Sequence, residues 1–90
     1  MALTWPTKDP NEKLDYDLDW TDRLSGDTVQ TSVWSIPIEL TNEEDSFTPT
    51  STLIWITGGV IGESYPLTNT IQTVGGRIMV QTVELSVSSK

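Results

Sequence analysis

The last third of the chain has the pattern of a β-hairpin. Apolar and polar residues alternate over residues 65–71, and residues 78–87 again have a strand-like composition. Gly75 and Gly76 stand between the two runs, and two glycines can supply the positive φ angles of a type I′ turn, whose twist matches that of the flanking strands. The hairpin predicts that the chain folds as a small all-β domain.

Three earlier segments also have the patterns of strands. Tyr16, Leu18 and Trp20 alternate with aspartates, and this period of two places the apolar side chains on one face and the carboxylates on the other. Residues 28–36 are rich in β-branched and aromatic residues, and residues 52–57 contain an apolar run of the length expected for a buried central strand. Turn signals recur about every 8–12 residues, which is typical of a β-sandwich. Between the strands, the polar segment at positions 41–45 is predicted to be an acidic loop.

The same patterns predict which side chains form the core. Residues on the apolar face of each alternating segment should point inward, as should the middle of the continuous apolar run. The predicted core consists of Tyr16, Leu18, Trp20, Val29, Val33, Ile54, Trp55, Leu67, Ile71, Val83 and Leu85.

The N-terminal segment predicts an extended arm of residues 1–11 in front of a sandwich domain of residues 12–90. The segment has two prolines, turn-forming residues and one large aromatic residue, Trp5. A Trp exposed next to Pro6 is suited to anchor the arm in the pocket of a partner, because Trp is enriched at interface hot spots. The alternative, in which the arm folds back over the chain's own sheet, is equally compatible with the sequence.

Other residues also favour partner binding. Trp34 groups with polar residues on its strand, which leaves its ring available. Pro37 cannot donate to a sheet ladder, so it indicates a strand end or edge, where another chain can pair. Glu43, Glu44 and Asp45 follow closely and would repel copies of the same chain. We therefore expect a monomer in isolation, which docks on a basic partner with an affinity that falls as salt is added.

The negative charge is concentrated in the first half of the chain. Residues 1–45 contain eleven acidic and three basic residues, whereas residues 46–90 contain two of each, and the whole chain has a net charge of −8. Such a surface repels nucleic acid and anionic membranes, so neither is expected as a partner. The longest apolar stretch, residues 53–61, is too short to span a membrane. The acidic half serves either solubility or the attraction of a basic partner.

The residue types present exclude most site chemistry. Because the chain has no histidine and no cysteine, zinc, copper and haem sites are not expected, and we predict no cofactor. An enzyme is not expected either, since a glycosidase needs two carboxylates across a cleft that a chain of 90 residues rarely has. A surface Ca²⁺ stays open, although Trp20 and Gly26 depart from an EF-hand loop. Its candidate ligands are Asp15, Asp17, Asp19 and Asp22.

Several segments resemble, in the same order, small proteins of tailed bacteriophages. These segments are LTWP (3–6), KDP (8–10), LDYDLDW (14–20), LSGDT (24–28), GESY (62–65) and TVGGR (73–77). The family they resemble is that of phage fibre–tail adaptor or virion structural proteins. The resemblance implies an immunoglobulin- or fibronectin-like antiparallel β-sandwich that is present in several copies in the virion, after assembly in the host cytoplasm. It implies contacts with tail, connector or fibre subunits and carries over no active-site residue.

Two other functions are considered beside this one. A capsid decoration protein would have the same kind of fold at a much higher copy number. A carbohydrate-binding module would need an exposed row of aromatic rings. The residues that we assign to partner binding in the virion are Trp5, Pro6, Trp34, Pro37, Glu43, Glu44 and Asp45.

Overall fold

The computed structural model describes residues 3–90, and nearly all of its regular structure is β-strand. The elements of this range are β1 (Leu3–Thr4), β2 (Leu14–Asp19), α1 (Thr21–Leu24), β3 (Val29–Ser35), β4 (Leu40–Phe47), β5 (Ser51–Gly58), β6 (Ser64–Thr73) and β7 (Ile78–Ser86). Within residues 3–90 no helix has the length and apolar character needed to cross a membrane.

The strands form two sheets that pack as a sandwich. One sheet has the order β1-β7-β6-β3 and the other β2-β5-β4. All strand pairs are antiparallel except that of β1, which runs parallel to β7. The core lies between the two sheets and contains inward-facing residues of both, including Ile54 and Ile56 from β5 and Leu67 and Ile71 from β6. The predicted all-β sandwich fold is confirmed.

The closing hairpin forms as predicted, but its turn is of a different type. Gly76 has a positive φ of 91°, whereas Gly75 does not have a positive φ. The backbone N–H of Gly76 donates to the carbonyl of Thr73, and the N–H of Thr73 donates to the carbonyl of Arg77. This is a three-residue loop with one left-handed position, so the predicted type I′ turn is wrong. Gly75 instead allows the Asp27 carboxylate to accept its N–H at 3.1 Å.

Two residues of the predicted core face outward. The register of β3 shifts between Val29 and Thr31, and this bulge reverses the alternation along the strand. Trp34 therefore faces the core, and Val33 is 63% exposed. In β5 the alternation persists through the apolar run, so that Ile54 and Ile56 are buried while Trp55 between them is half-buried on the outer face. The other nine predicted core residues are buried.

The predicted acidic loop at residues 41–45 is a strand. These residues belong to β4, which pairs with β5 from Leu40 to Phe47. The register shifts between Asn42 and Glu44, so Glu43 is the extra residue of a bulge. The charged side chains tolerate strand geometry here because β4 is an edge strand, and they remain exposed to water.

The N-terminal segment packs on the chain's own sheet. Beyond β1, the N–H of Trp5 donates to the carbonyl of Glu84, and the N–H of Lys8 donates to the carbonyl of Ser86, each at 3.0 Å. Trp5 is 9% exposed and belongs to the core. For residues 3–8 the prediction of an arm apart from the core is therefore wrong, and the alternative, in which the arm folds back, is correct. The boundary between residues 11 and 12 stays a prediction, and residues 1 and 2 lie outside the described range.

Lys8 is buried completely, which is unusual for a lysine. Its ammonium group donates to the carbonyl oxygens of Asp9 at 2.9 Å and of Gly58 at 2.8 Å. Desolvation by burial lowers the pKa of Lys8. The hydrogen bond to Gly58 attaches the N-terminal segment to the last residue of β5.

Candidate partner-binding surfaces

A cleft separates the N-terminal segment from the edge strand β2. Its volume is about 310 Å³, and its lining is largely apolar with two carboxylates. The phenol of Tyr16 donates to the carbonyl of Pro6 at 3.1 Å across the base of the cleft. Burial raises the pKa of Tyr16 to about 12, so the phenol stays a hydrogen-bond donor. The lining residues are Trp5, Pro6, Thr7, Leu14, Asp15, Tyr16, Asp17 and Lys90.

Three aromatic rings meet beneath this cleft. Trp5 stacks on Tyr16, with ring centroids 4.6 Å apart and planes inclined by 12°. Trp34 approaches Trp5 from β3, with centroids 5.8 Å apart. The structure thus brings together two predicted partner-binding residues, Trp5 and Trp34, but it does so in the core. Trp5 lines the cleft and does not protrude from the surface, so it cannot insert into a partner's pocket in this arrangement.

The acidic residues proposed from sequence lie along the exposed edge strand β4. Glu43 accepts the Thr57 hydroxyl at 2.7 Å, and Asp45 accepts the amide of Asn42 at 2.8 Å. The Glu44 carboxylate has no hydrogen bond or ion pair within residues 3–90. Glu44 lies opposite Trp55, so its position adjoins an apolar patch on the outer face of the sheet.

Pro37 lies in the connection that passes from β3 to β4. Its carbonyl accepts the N–H of Leu40 at 3.1 Å, which closes a turn. Pro37 lies between the end of β3 and the start of β4, outside both ladders, as expected of a proline at a strand end, bulge or edge. Both strands that it joins are edge strands, one in each sheet, and its role in partner binding stays a prediction. Ile38 beside it is 96% exposed, and the nearby backbone of Glu39 accepts the N–H of Gly59.

The two outer faces of the sandwich differ in charge. On the three-stranded sheet, the registers place Asp15, Trp55 and Glu44 in one row across β2, β5 and β4. Asp17 and Leu53 lie in the next row. The outer positions of β3, β6 and β7 carry a single carboxylate, from Glu84. Those outer positions are otherwise Thr31, Val33, Ser35, Ser64, Pro66, Thr68, Thr70, Gln72, Ile78, Val80, Thr82 and Ser86.

The aspartates considered for Ca²⁺ do not form a ligand set. Within the described residues no group of three or more acidic side chains is arranged to hold a metal ion. Asp19 is instead used locally: its carboxylate accepts the N–H of Thr21 at 2.9 Å and the Thr21 hydroxyl at 2.6 Å. These bonds, led by that of the hydroxyl, lower the pKa of Asp19.

The family of the chain is decided by comparison with family models. A model described as "Podophage GP4 fiber-tail adaptor protein gp77" matches residues 8–86. The chain belongs to this family. Membership supports a structural adaptor role in a phage virion. Among curated proteins no sequence matches the chain.

The match to the adaptor family covers the β-sandwich from Lys8 to Ser86 and begins after Trp5 and Pro6. The cleft therefore lies between a matched strand, β2, and a segment that precedes the match. The alternation along the sequence places Asp15 and Asp17 on one strand face but does not connect them with Trp5. No one-dimensional signal could do so, because the cleft exists only once residues 5–7 lie beside β2.

Proposed function

We propose that this protein is a non-enzymatic adaptor of the phage virion that attaches a fibre subunit to the tail. Membership of the fibre–tail adaptor family carries this proposal. The two sheet faces support it further, since a linker needs two surfaces that do not compete for one partner. The outer face of β2-β5-β4 has unpaired carboxylates around Trp55, whereas that of β3-β6-β7 is nearly uncharged.

Each face suits a different kind of partner. Carboxylates on an exposed surface attract a basic partner and speed its association, and this attraction weakens with salt. The other face, whose side chains are mostly threonine, serine and valine with one carboxylate, suits a flat partner surface that it can contact over a wide area. We further propose that the isolated protein is a monomer, because its net charge of −8 opposes close approach of copies.

Restoration of particles that lack the protein tests the proposal. Purified protein should bind these particles and allow fibres to attach, as seen by electron microscopy and by the fibre content of pelleted particles. Fibre attachment without the protein would contradict the adaptor role. Binding over the whole capsid at high copy number would instead support a decoration protein.

A direct binding test addresses the carbohydrate alternative. The indole rings of Trp5 and Trp20 are buried, so they are not available as an exposed stacking row. We expect no binding of the protein to an array of immobilised glycans. We also expect no binding in solution to monosaccharides at millimolar or oligosaccharides at micromolar concentrations. Specific glycan binding that is lost in Trp55→Ala would argue for the carbohydrate-binding function.

A further inference from the structure

We propose that the cleft between residues 5–7 and β2 receives an arginine side chain from an extended segment of the protein that the adaptor binds. This inference rests on the proposed adaptor function and names the chemistry by which one partner is recognised. It concerns the cleft, which is separate from the row of side chains around Trp55, although Asp15 belongs to both.

The lining of the cleft suits a long side chain with an apolar stem. Pro6, which is exposed, and Leu14, which is half-buried, provide apolar contact surface beside the largely buried, stacked rings of Trp5 and Tyr16. Arginine and lysine both bury their methylene stems against such surfaces while keeping the charged end near polar groups. A volume of about 310 Å³ accommodates one side chain and not a folded element.

The carboxylates at the cleft are free to receive a cation. The carboxylates of Asp15 and Asp17 have no hydrogen bond or ion pair within residues 3–90. They lie two residues apart on an exposed strand, so their Cα atoms are separated by about 7 Å. The ammonium of Lys90, which also lines the cleft, is engaged elsewhere by Glu12 at 2.9 Å.

One cation of the chain lies on the outer face that adjoins the cleft. The ammonium of Lys13 lies 5.7 Å from the centroid of the Trp55 ring, beside Asp15 on the outer face. An arginine suits the two aspartates better than a lysine, because its planar guanidinium has five N–H donors and can bond two carboxylates at once. Arginine is also the residue enriched at interface hot spots.

The strand beside the cleft also suits an extended partner. Within residues 3–90, β2 is the outer strand of its sheet and pairs with β5 alone. An edge strand offers backbone N–H and carbonyl groups on its free side, and a partner in extended conformation can complete them. A segment lying along this edge would place alternate side chains over the cleft.

The test uses the full chain and the tripeptide acetyl-Thr-Arg-Thr-amide as the probe, followed by two-dimensional NMR. We expect chemical-shift changes at the Trp5 indole N–H and at the amides of residues 14–17. The same peptide with citrulline, which has the shape of arginine without its charge, should bind at least tenfold more weakly. Equal binding of the two peptides, or no shift at these positions, would overturn the proposal.

A pair of isosteric variants tests the carboxylates. Asp15→Asn with Asp17→Asn should weaken peptide binding at least tenfold without changing the melting temperature, since both side chains are exposed. The matched control is Asp22→Asn with Glu63→Gln, which removes the same charge from exposed positions away from the cleft. If both double variants weaken binding equally, the effect is net charge alone and the cleft is not the site.

Fibre attachment to restored particles separates this inference from the function on which it rests. Failure of the wild-type protein to restore attachment would contradict the adaptor function itself. Restoration by wild type and by the Asp15→Asn, Asp17→Asn variant alike would leave the adaptor function intact and refute the arginine cleft. Restoration by wild type and by the control variant, but not by the cleft variant, is the expected result.

Discussion

At the scale of single residues, the two sheets are joined by a polar network inside the core. The Asn69 side-chain carbonyl accepts the indole N–H of Trp20 at 3.2 Å and the hydroxyl of Thr52 at 2.7 Å. The Asn69 amide donates to the Ser32 hydroxyl at 2.9 Å and to the carbonyl of Val33 at 3.1 Å. One side chain thus connects β6 with the neighbouring strand β3 and with the opposite sheet. A buried amide is tolerated here because every polar group that it meets is complementary.

Replacement of Asn69 by leucine should destabilise the fold by about 2–4 kcal/mol, because it leaves buried partners without a hydrogen bond. Chemical denaturation followed by Trp fluorescence measures this difference. The control is Gln72→Leu, which makes a similar change on the outer face of the same strand and should alter stability by less than about 0.5 kcal/mol. Equal effects of the two substitutions would show that the network contributes nothing specific.

At the scale of elements, the N-terminal segment is an integral part of the sandwich. The described part of β1 pairs two residues with β7, and Trp5 and Lys8 extend the attachment through backbone hydrogen bonds. The Trp5 side chain is buried in the core and stacks on Tyr16 of β2. The segment therefore closes one side of the core and forms the cleft at the same time.

Truncation of Trp5 to alanine should lower the free energy of unfolding by about 3–5 kcal/mol, because a buried indole and its stacking partner are lost. Thermal unfolding monitored by circular dichroism provides the measurement. Trp5→Phe retains an aromatic ring and should recover most of the loss. An unchanged melting temperature in Trp5→Ala would mean that the segment is detached in solution, as expected of an arm that binds only a neighbour.

At the scale of the whole molecule, several half-buried carboxylates are held by hydrogen bonds. The backbone N–H of Lys90 lowers the pKa of Asp9, and that of Asp9 lowers the pKa of Glu12. The hydroxyl of Thr73, with the N–H of Thr28, lowers the pKa of Asp27. A carboxyl group with a lowered pKa in the folded state stabilises the fold above its unfolded pKa. That contribution disappears as the pH falls through the folded value.

The fold should therefore lose stability below about pH 4, where carboxyl groups in the unfolded chain take up protons. Melting temperatures measured between pH 7 and pH 2 should show a shallower acid slope for Asp27→Asn than for wild type. Asp22→Asn is the control, because the Asp22 carboxylate has no hydrogen bond within residues 3–90. Identical acid slopes for both variants and wild type would argue that these hydrogen bonds do not stabilise the fold.

Local sequence patterns determined the fold class and most of the core. The alternation of Tyr16, Leu18 and Trp20 with aspartates fixes both the strand and the face that is buried, because strand side chains point alternately to opposite faces. The closing hairpin is equally predictable from the sequence, because its two strands are adjacent in the chain and the glycines between them mark the turn. These are short-range effects of backbone geometry and hydrophobicity, and they need no knowledge of distant residues.

Where these local patterns gave the wrong prediction, the tertiary structure alone determined the outcome. The bulge after Val29 turned Val33 outward and Trp34 inward, and pairing with β5 made a strand of the acidic residues 41–45. The cleft depends on the packing of residues 5–7 beside β2, which brings Trp5 onto Tyr16. Register shifts, edge positions and contacts between segments distant in sequence are settled by the packing of the whole chain. Local propensity does not determine these features, because it depends on residues that are adjacent in sequence and not on residues that are adjacent only in the folded structure.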